Sequence, residues 1–256
     1  NVVVTWSSEN QVNAASLKDV YFQILTPAGQ KFGSEILVNQ ATSYNQRSSA
    51  VAPLTDGRFV VVWVSEQQRF ENSVDIYGRI YSAVGTPVSP EFLVNSSTNT
   101  CANPTVATAT DGGFMVTWME RDLQNQINKW DVYARPVTSS AVLGVTRKVN
   151  AYQTGDQLAP KIAAINGDYL VSWTSMAQDG SGDGVFGRFL NADGSLHGDE
   201  FRVTTTTVGN QMHPVVMSDG AARFLAVWTR LELATPCVTG MYSNQLNYQT
   251  DCLIFQ

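Results

Sequence analysis

Apolar residues in this chain come in short runs, each introduced by a polar turn and closed by a tryptophan. Asp56-Gly57-Arg58-Phe59-Val60-Val61-Val62-Trp63 is the clearest. The phrase returns as Asp111 to Trp118, as Asn166 to Trp173 and, two residues longer, as Asp219 to Trp228. The chain itself opens on Val2-Val3-Val4-Thr5-Trp6, and the five tryptophans stand 57, 55, 55 and 55 residues apart. A run this short and apolar on both faces reads as a strand sandwiched between neighbouring sheets. We label it strand B.

Three further strands per unit are predicted. A polar loop, different in each copy, follows strand B, and variable loops on a repeated frame are where function commonly sits. Strand C comes next, as Asp19-Val20-Tyr21-Phe22-Gln23, Asp75-Ile76-Tyr77-Gly78-Arg79, Asp131-Val132-Tyr133-Ala134-Arg135 and Gly184-Val185-Phe186-Gly187-Arg188. A period of two puts Tyr77 and Arg79 on one face and Ile76, Gly78 and Ile80 on the other. Turns at Ala28-Gly29, Val84-Gly85 and Asp193-Gly194 are hairpin signals leading to strand D. Strand D closes on phrases such as Glu35-Ile36-Leu37-Val38-Asn39 and Glu91-Phe92-Leu93-Val94-Asn95. A Ser/Thr/Asn linker then enters the next strand A, marked by Gln157-x-x-Pro160 and Gln211-x-x-Pro214, with Cys101 and Gln46 in the same place. Proline at the start of a strand breaks no ladder bond.

No stretch has a helical period. Four strands per unit of about 55 residues is the pattern of a propeller blade. The expectation is an all-β fold, a five-bladed β-propeller formed by residues 1–256 as one domain. Its repeats run approximately 1–45, 46–100, 101–156, 157–210 and 211–256. Nineteen strands are readable, because the first repeat has no strand A. Either one blade has three strands or the natural protein continues before Asn1.

Composition narrows the partners. Hydrophobic residues make up 43% and charged residues only 15%, so the surface is polar but weakly charged, as in many secreted all-β proteins. A net charge of −6 argues against nucleic acid and against anionic membranes, which need a basic face. No apolar run is long enough for a membrane span, and no signal peptide is visible. Of three cysteines, Cys237 and Cys252 are expected to form a disulfide and Cys101 to remain a buried thiol. Asn95-Ser96-Ser97 is a glycosylation sequon expected to be exposed; it matters only in a eukaryotic source.

One stretch resembles a known repeat. Asp179-Gly180-Ser181-Gly182-Asp183-Gly184-Val185-Phe186-Gly187-Arg188-Phe189, then Ala192-Asp193-Gly194, Glu200-Phe201-Arg202-Val203 and Gln211-x-x-Pro214, resembles a tandem repeat of very large secreted bacterial adhesin-like proteins. Those chains often carry separate RTX-type calcium repeats. The resemblance covers essentially the whole chain in five copies and implies a secreted or cell-surface location. The last copy departs most, since Thr235 to Gln256 lacks the Tyr-x-Arg and Glu-x-x-Val-Asn phrases. More distantly, the chain is similar in size and blade count to five-bladed invertebrate propeller lectins.

Candidate sites are few. The repeat tryptophans could stack sugars, but their fixed place at the end of an apolar strand reads as core. Arg79, Arg135 and Arg188 share a face with Tyr77, Tyr133 and Phe186. Such a pair is either a hydrogen-bonding group beside a stacking ring, as in lectin sites, or structural glue between blades. Asp179, Ser181, Asp183 and Gly184 match the first half of a calcium loop, but Leu190 stands where the closing carboxylate belongs, so the segment reads as a Gly-rich turn. Trp130 is the one tryptophan outside the repeat position. It is a loop anchor or an exposed platform, with Tyr133 and Arg135 beneath it. His197 and His213 are isolated. No HExxH, GxSxG, phosphate loop or CxxC is present.

These features lead to the expectation of a secreted, non-catalytic recognition module that binds glycans without a cofactor. The alternative is a structural building block of an extracellular assembly or giant adhesin that binds extracellular proteins.

Overall fold

The structure, a computed structural model, describes residues 1–12, 17–122, 129–233 and 246–255. Its strands form five separate antiparallel meanders taken in chain order. The first holds β1 (Val2–Glu9), β2 (Lys18–Leu25) and β3 (Lys31–Leu37). The second holds β4 (Gln46–Pro53), β5 (Phe59–Glu66), β6 (Val74–Tyr81) and β7 (Phe92–Leu93). The third holds β8 (Thr100–Thr108), β9 (Phe114–Arg121), β10 (Asp131–Val137) and β11 (Arg147–Lys148). The fourth holds β12 (Gln157–Ile165), β13 (Asp168–Met176), β14 (Asp183–Leu190) and β15 (Leu196–Arg202). The fifth holds β16 (Asn210–Ser218), β17 (Phe224–Leu233) and β18 (Leu246–Phe255). Each sheet packs on its successor through the inner strands, β1 on β4, β4 on β8, β8 on β12 and β12 on β16. This is a five-bladed β-propeller.

The first sheet lacks strand A, as expected, and the last ends on strand C, so eighteen strands are described where nineteen are expected. The two three-stranded sheets carry the exposed apolar faces. Val2 and Val4 of β1, and Val215 and Met217 of β16, are exposed. Ala52 and Ala163, which precede Met217 in the repeat, are buried by the blade that follows them. Among the described residues no comparable packing joins the fifth sheet to the first.

Four of the five repeat tryptophans are core, and Trp6 of blade 1 is half-buried. Trp63, Trp118 and Trp173 are fully buried, and Trp228 nearly so. A buried indole N–H needs an acceptor. Trp63 Nε1 donates to Gln46 Oε1 at 3.2 Å and Trp173 Nε1 to Gln157 Oε1 at 3.0 Å. This explains the glutamine at the head of strand A in blades 2 and 4; in blade 5 Trp228 Nε1 and Gln211 Oε1 are buried without making this bond. In blade 3 that position is Cys101, whose sulfur cannot replace the amide. Two residues beyond the tryptophan, serine gives way to Glu120, whose Oε2 accepts from Trp118 Nε1 at 3.1 Å. Burial, with Glu120 beside it, raises the Cys101 thiol pKa well above its ordinary range. Of the predicted disulfide partners Cys237 and Cys252, Cys237 lies outside the described residues.

A second repeated device locks strand C to the end of strand D. Asp19, Asp75 and Asp131 are buried, and each accepts from an asparagine: Asn39, Asn95 and Asn150, at 2.7, 2.9 and 2.7 Å. Each asparagine Oδ1 accepts in return from the backbone N–H after the aspartate, at Val20, Ile76 and Val132. The expectation of an exposed, glycosylated Asn95 is therefore corrected. Its side chain is buried, and its amide donates to Asp75 and to the Ser97 carbonyl, leaving nothing to carry a glycan.

Every complete inner strand carries one irregularity. The register slips between Arg47 and Ala50, Ala102 and Thr105, Leu158 and Lys161, and Met212 and Val215. At each slip a non-glycine residue sits at positive φ: Ser48, Asn103, Ala159 and His213, between 50° and 55°. Such bulges bend a strand and are retained as features of a fold. Alanine gains nothing in this region and loses about 1 kcal/mol relative to glycine. Ala159→Gly is expected to stabilise the protein by about 0.5–1 kcal/mol, read as a higher urea midpoint with unchanged m-value. Destabilisation would show that the bulge is held by the alanine methyl's packing.

Candidate functional site

The predicted arginines are all engaged. Arg79 Nη1 donates to the Val38 carbonyl at 3.1 Å and Nε to Ser89 O at 3.3 Å. Arg135 Nη1 donates to Val94 O and Nε to Gly144 O, both at 2.7 Å. Arg188 Nη1 donates to Val149 O and Nε to Gly198 O, both at 3.0 Å. In each case one bond stays within the blade and the other crosses to the last valine of the preceding blade. These valines are buried, so their carbonyls have no water to turn to.

The aromatic partners lean on their own blades. Tyr77 stacks on Trp63 with centroids 6.3 Å apart, and Tyr133 on Trp118 at 6.2 Å. Burial, with Glu120, Asp131 and Asp122 nearby, pushes the Tyr133 hydroxyl up to about 12. Phe186 is buried opposite Trp173. Trp130 is half-buried; its N–H donates to Asp156 Oδ1 at 3.2 Å and its carbonyl accepts from Gln157 N at 2.8 Å. This pins the loop to the head of β12. The loop residues Gln124, Asn125 and Gln126 lie outside the described residues.

The inner strands β4, β8, β12 and β16 carry no Asp or Glu. Carboxylates therefore come from the other strands, the turns and the loops. A cleft of about 500 Å³ lies between blades 3 and 4 at the end opposite Trp130. Three turns build it. Asp111 belongs to the A–B turn of blade 3, closed by Ala109 N donating to Gly113 O at 3.0 Å. The C–D turn of blade 3 is closed by Thr138 N donating to Val142 O at 2.9 Å and supplies apolar Val142, Leu143 and Val145. The C–D turn of blade 4 brings Asp193. Its Gly194 sits so close to Pro136 that an added Cβ would approach the proline ring to 2.9 Å.

The cleft holds two exposed carboxylates from different blades, the exposed Arg147, and buried Tyr169 as floor. Asp111 Oδ1 accepts from Gly113 N at 2.9 Å and Asp193 Oδ1 from Ser195 N at 2.8 Å. Hydrogen bonds from the Ser195 hydroxyl and amide, helped by the charge of Arg147, hold Asp193 below the usual carboxylate range. Val142 and Val145 stay exposed beside these charges, giving the mixed apolar and polar lining of a ligand cleft. Sequence reasoning missed this site. Its two aspartates belong to Asp-Gly turns indistinguishable from Asp56-Gly57.

Neither a protein-family model nor a curated protein matches the chain. Solved structures do. A protein of unknown function from Dyadobacter fermentans superposes with a TM-score of 0.64 at 11% identity, over 92% of this chain and 64% of that one. The present chain thus spans just under two thirds of that protein. The α-L-arabinanase of Penicillium chrysogenum, solved with arabinobiose, gives 0.57 at 12% identity, over 88% and 74% of the two chains. The endo-arabinase of Bacteroides thetaiotaomicron gives 0.53 at 14%, over 99% and 90%. At this identity the likeness establishes the fold.

These matches correct one expectation. The expectation above is a non-catalytic, lectin-like recognition module, with a structural protein-binding building block as the alternative. The solved propellers with this fold include carbohydrate-active enzymes. Glycosidase carboxylates are brought together by the fold from distant segments and leave no contiguous motif to find.

If the strand C arginines are inter-blade staples, Arg135→Leu leaves two carbonyls without a donor. The expected loss is about 2–4 kcal/mol in urea unfolding, with Arg135→Lys recovering part of it. A loss below about 0.5 kcal/mol would remove the staple reading and return Arg135 to the candidate ligand residues.

Proposed function

We propose that this chain is a carbohydrate-active enzyme acting on glycosidic bonds of a polymeric glycan. The reaction is placed in the cleft between blades 3 and 4. The observation that carries the reading is the pairing there of two accessible carboxylates, Asp111 and Asp193, from different blades and beside an exposed apolar wall. Support comes from the fold's use by enzymes whose substrates are arabinan and related glycans. Glycoside hydrolysis requires two carboxyl groups with different duties, one remaining ionised and one delivering a proton. Asp193, held low by Ser195 and Arg147, suits the ionised base or nucleophile. Asp111 takes the part of the proton donor. Arg147 provides a donor for sugar hydroxyls, and Val142 and Val145 an apolar surface for a pyranose or furanose face. A polymeric substrate fits secretion, as does the resemblance to repeats of large secreted bacterial proteins.

The test is hydrolysis of a panel of arabinans, galactans and aryl glycosides, followed by released reducing sugar. Wild type is expected to release sugar, Asp193→Asn and Asp111→Asn to lose at least 10²-fold in kcat, and both variants to keep the wild-type circular dichroism. Because Asp193 is depressed, its share of the acidic limb should fall below the ordinary aspartate value of about 4. Absence of hydrolysis across the panel, or full activity in both variants, would refute the assignment.

A further inference from the structure

Blade 4 breaks the Asp–Asn lock described above. Gly184 stands in place of the aspartate and Thr204 in place of the asparagine, while the backbone register is retained. Val203 N donates to Val185 O at 2.8 Å, just as Val94 N donates to Ile76 O at 2.7 Å and Val149 N to Val132 O at 2.7 Å. Thr204 therefore points where Asn95 and Asn150 point in their blades. The missing carboxylate is supplied from the loop. A Cβ added to Gly184 would lie 2.9 Å from Asp179 Oδ2, so the Asp179 carboxylate occupies the ground of the repeat aspartate.

The exchange leaves a hydroxyl without a partner; an unpartnered carboxylate oxygen is shared with the intact locks, at Asp19 Oδ2 and Asp75 Oδ2. Asp179 Oδ2 is buried and accepts no hydrogen bond, and Thr204, 2% exposed, has a buried Oγ1 with none. A second carboxylate stands close by. Burial first, then the charge of Asp179, raise the Asp183 pKa, with His213 acting in the opposite sense. Asn210 closes the group; its Oδ1 accepts from Asp183 N at 3.1 Å and crowds Gly182 so tightly that no Cβ would fit.

In two of the three other locks such a carboxylate attracts a cation, while no ion pair reaches Asp19 of blade 1 among the described residues. In blade 3, Lys148 Nζ lies 2.7 Å from Asp131 Oδ2, and in blade 2, Arg69 Nη2 lies 2.6 Å from Asp75 Oδ1. In blade 4 the position of Lys148 is taken by Arg202, which is exposed, and no ion pair reaches Asp179 or Asp183 among the described residues. Two carboxylates, an unpartnered buried hydroxyl and an amide oxygen, with no lysine or arginine ion-paired to them among the described residues and with His213 as the titratable group facing Asp183, form an all-oxygen donor set. Hard divalent cations, and calcium above all, take such sets; zinc would need nitrogen or sulfur.

We propose that the loop and strand ends at Asp179, Asp183, Thr204 and Asn210 bind a calcium ion that replaces the lysine or arginine of the neighbouring blades. The ion ties the B–C loop of blade 4 to the end of its strand D and to the entry of blade 5. The remaining two to four positions of a six- to eight-fold shell would come from backbone carbonyls and water. The site lies at the end of the propeller opposite the cleft and is independent of the activity proposed for that cleft.

The experiment is calorimetric titration of CaCl₂, with MgCl₂ as control, into the chelator-treated full chain at pH 7.5. Wild type, Asp183→Asn and Thr204→Val are compared, and the thermal midpoint is recorded with and without 1 mM CaCl₂. Wild type should bind calcium with a Kd between about 10⁻⁵ and 10⁻³ M, more tightly than magnesium. Its midpoint should rise by several degrees and return with EDTA. Asp183→Asn should weaken binding at least tenfold, and Thr204→Val severalfold. Wild-type affinity should fall as the pH is lowered toward 4, because protons compete for Asp183. No heat up to about 10 mM calcium overturns the proposal, as does an unchanged Kd in Asp183→Asn. If that variant does not fold, an unchanged Kd in Thr204→Val overturns it equally.

Discussion

The bond from each strand C arginine to the last valine carbonyl of the preceding blade is the constraint on which the arrangement of blades depends. Stacked blades bury the ends of their outer strands, and a carbonyl buried there has no solvent to accept from. Arg79, Arg135 and Arg188 answer that need at Val38, Val94 and Val149. The long planar guanidinium can serve its own blade and the neighbour together, which a lysine cannot do with the same geometry. Blade 1 has Gln23 at this position, and its amide turns inward to Ile24, Phe32 and Gly33 of its own sheet. β18 has no arginine at all, so blade 5 lacks this tie to blade 4. The two ends of the repeat series are also where the apolar faces of β1 and β16 are exposed.

The same staples shape the cleft. Arg188 sets blade 4 against blade 3, and the Gly194 turn then meets Pro136 closely, with the cleft opening beside that contact. The aspartates on its rim are ordinary turn residues by local chemistry, each accepting from an amide two residues on. What sets them apart is position. One turn from each of two blades, facing a shared volume, makes a pair that neither repeat contains alone.

Local substitutions in one repeat are balanced within that repeat. Cys101 removes an amide acceptor, and Glu120 supplies a carboxylate to the same indole. Gly184 removes a buried carboxylate, and Asp179 returns one from the loop. The buried negative charge is the harder element to balance, since an uncompensated ion is far more costly to bury than a neutral amide. Blades 2 and 3 use Arg69 and Lys148 for this purpose.

The sequence by itself determined the strands, the repeat and the core. A period of 55 residues, apolar runs too short for helices and glycine-bearing turns leave one architecture, because each strand must bury both faces against another copy of itself. The buried states of Trp63, Trp118, Trp173, Val94 and Val149 follow from that argument alone. What only the tertiary structure decided is where each polar group is used. Whether Arg135 meets a ligand or a carbonyl, whether Asn95 faces solvent or Asp75, and whether Asp111 and Asp193 share a volume all depend on contacts across 40 residues or more, or on strand register. Hydrophobic burial follows composition along the chain. Hydrogen-bond partnership is directional and short-ranged, and it is decided only when the blades have been brought together.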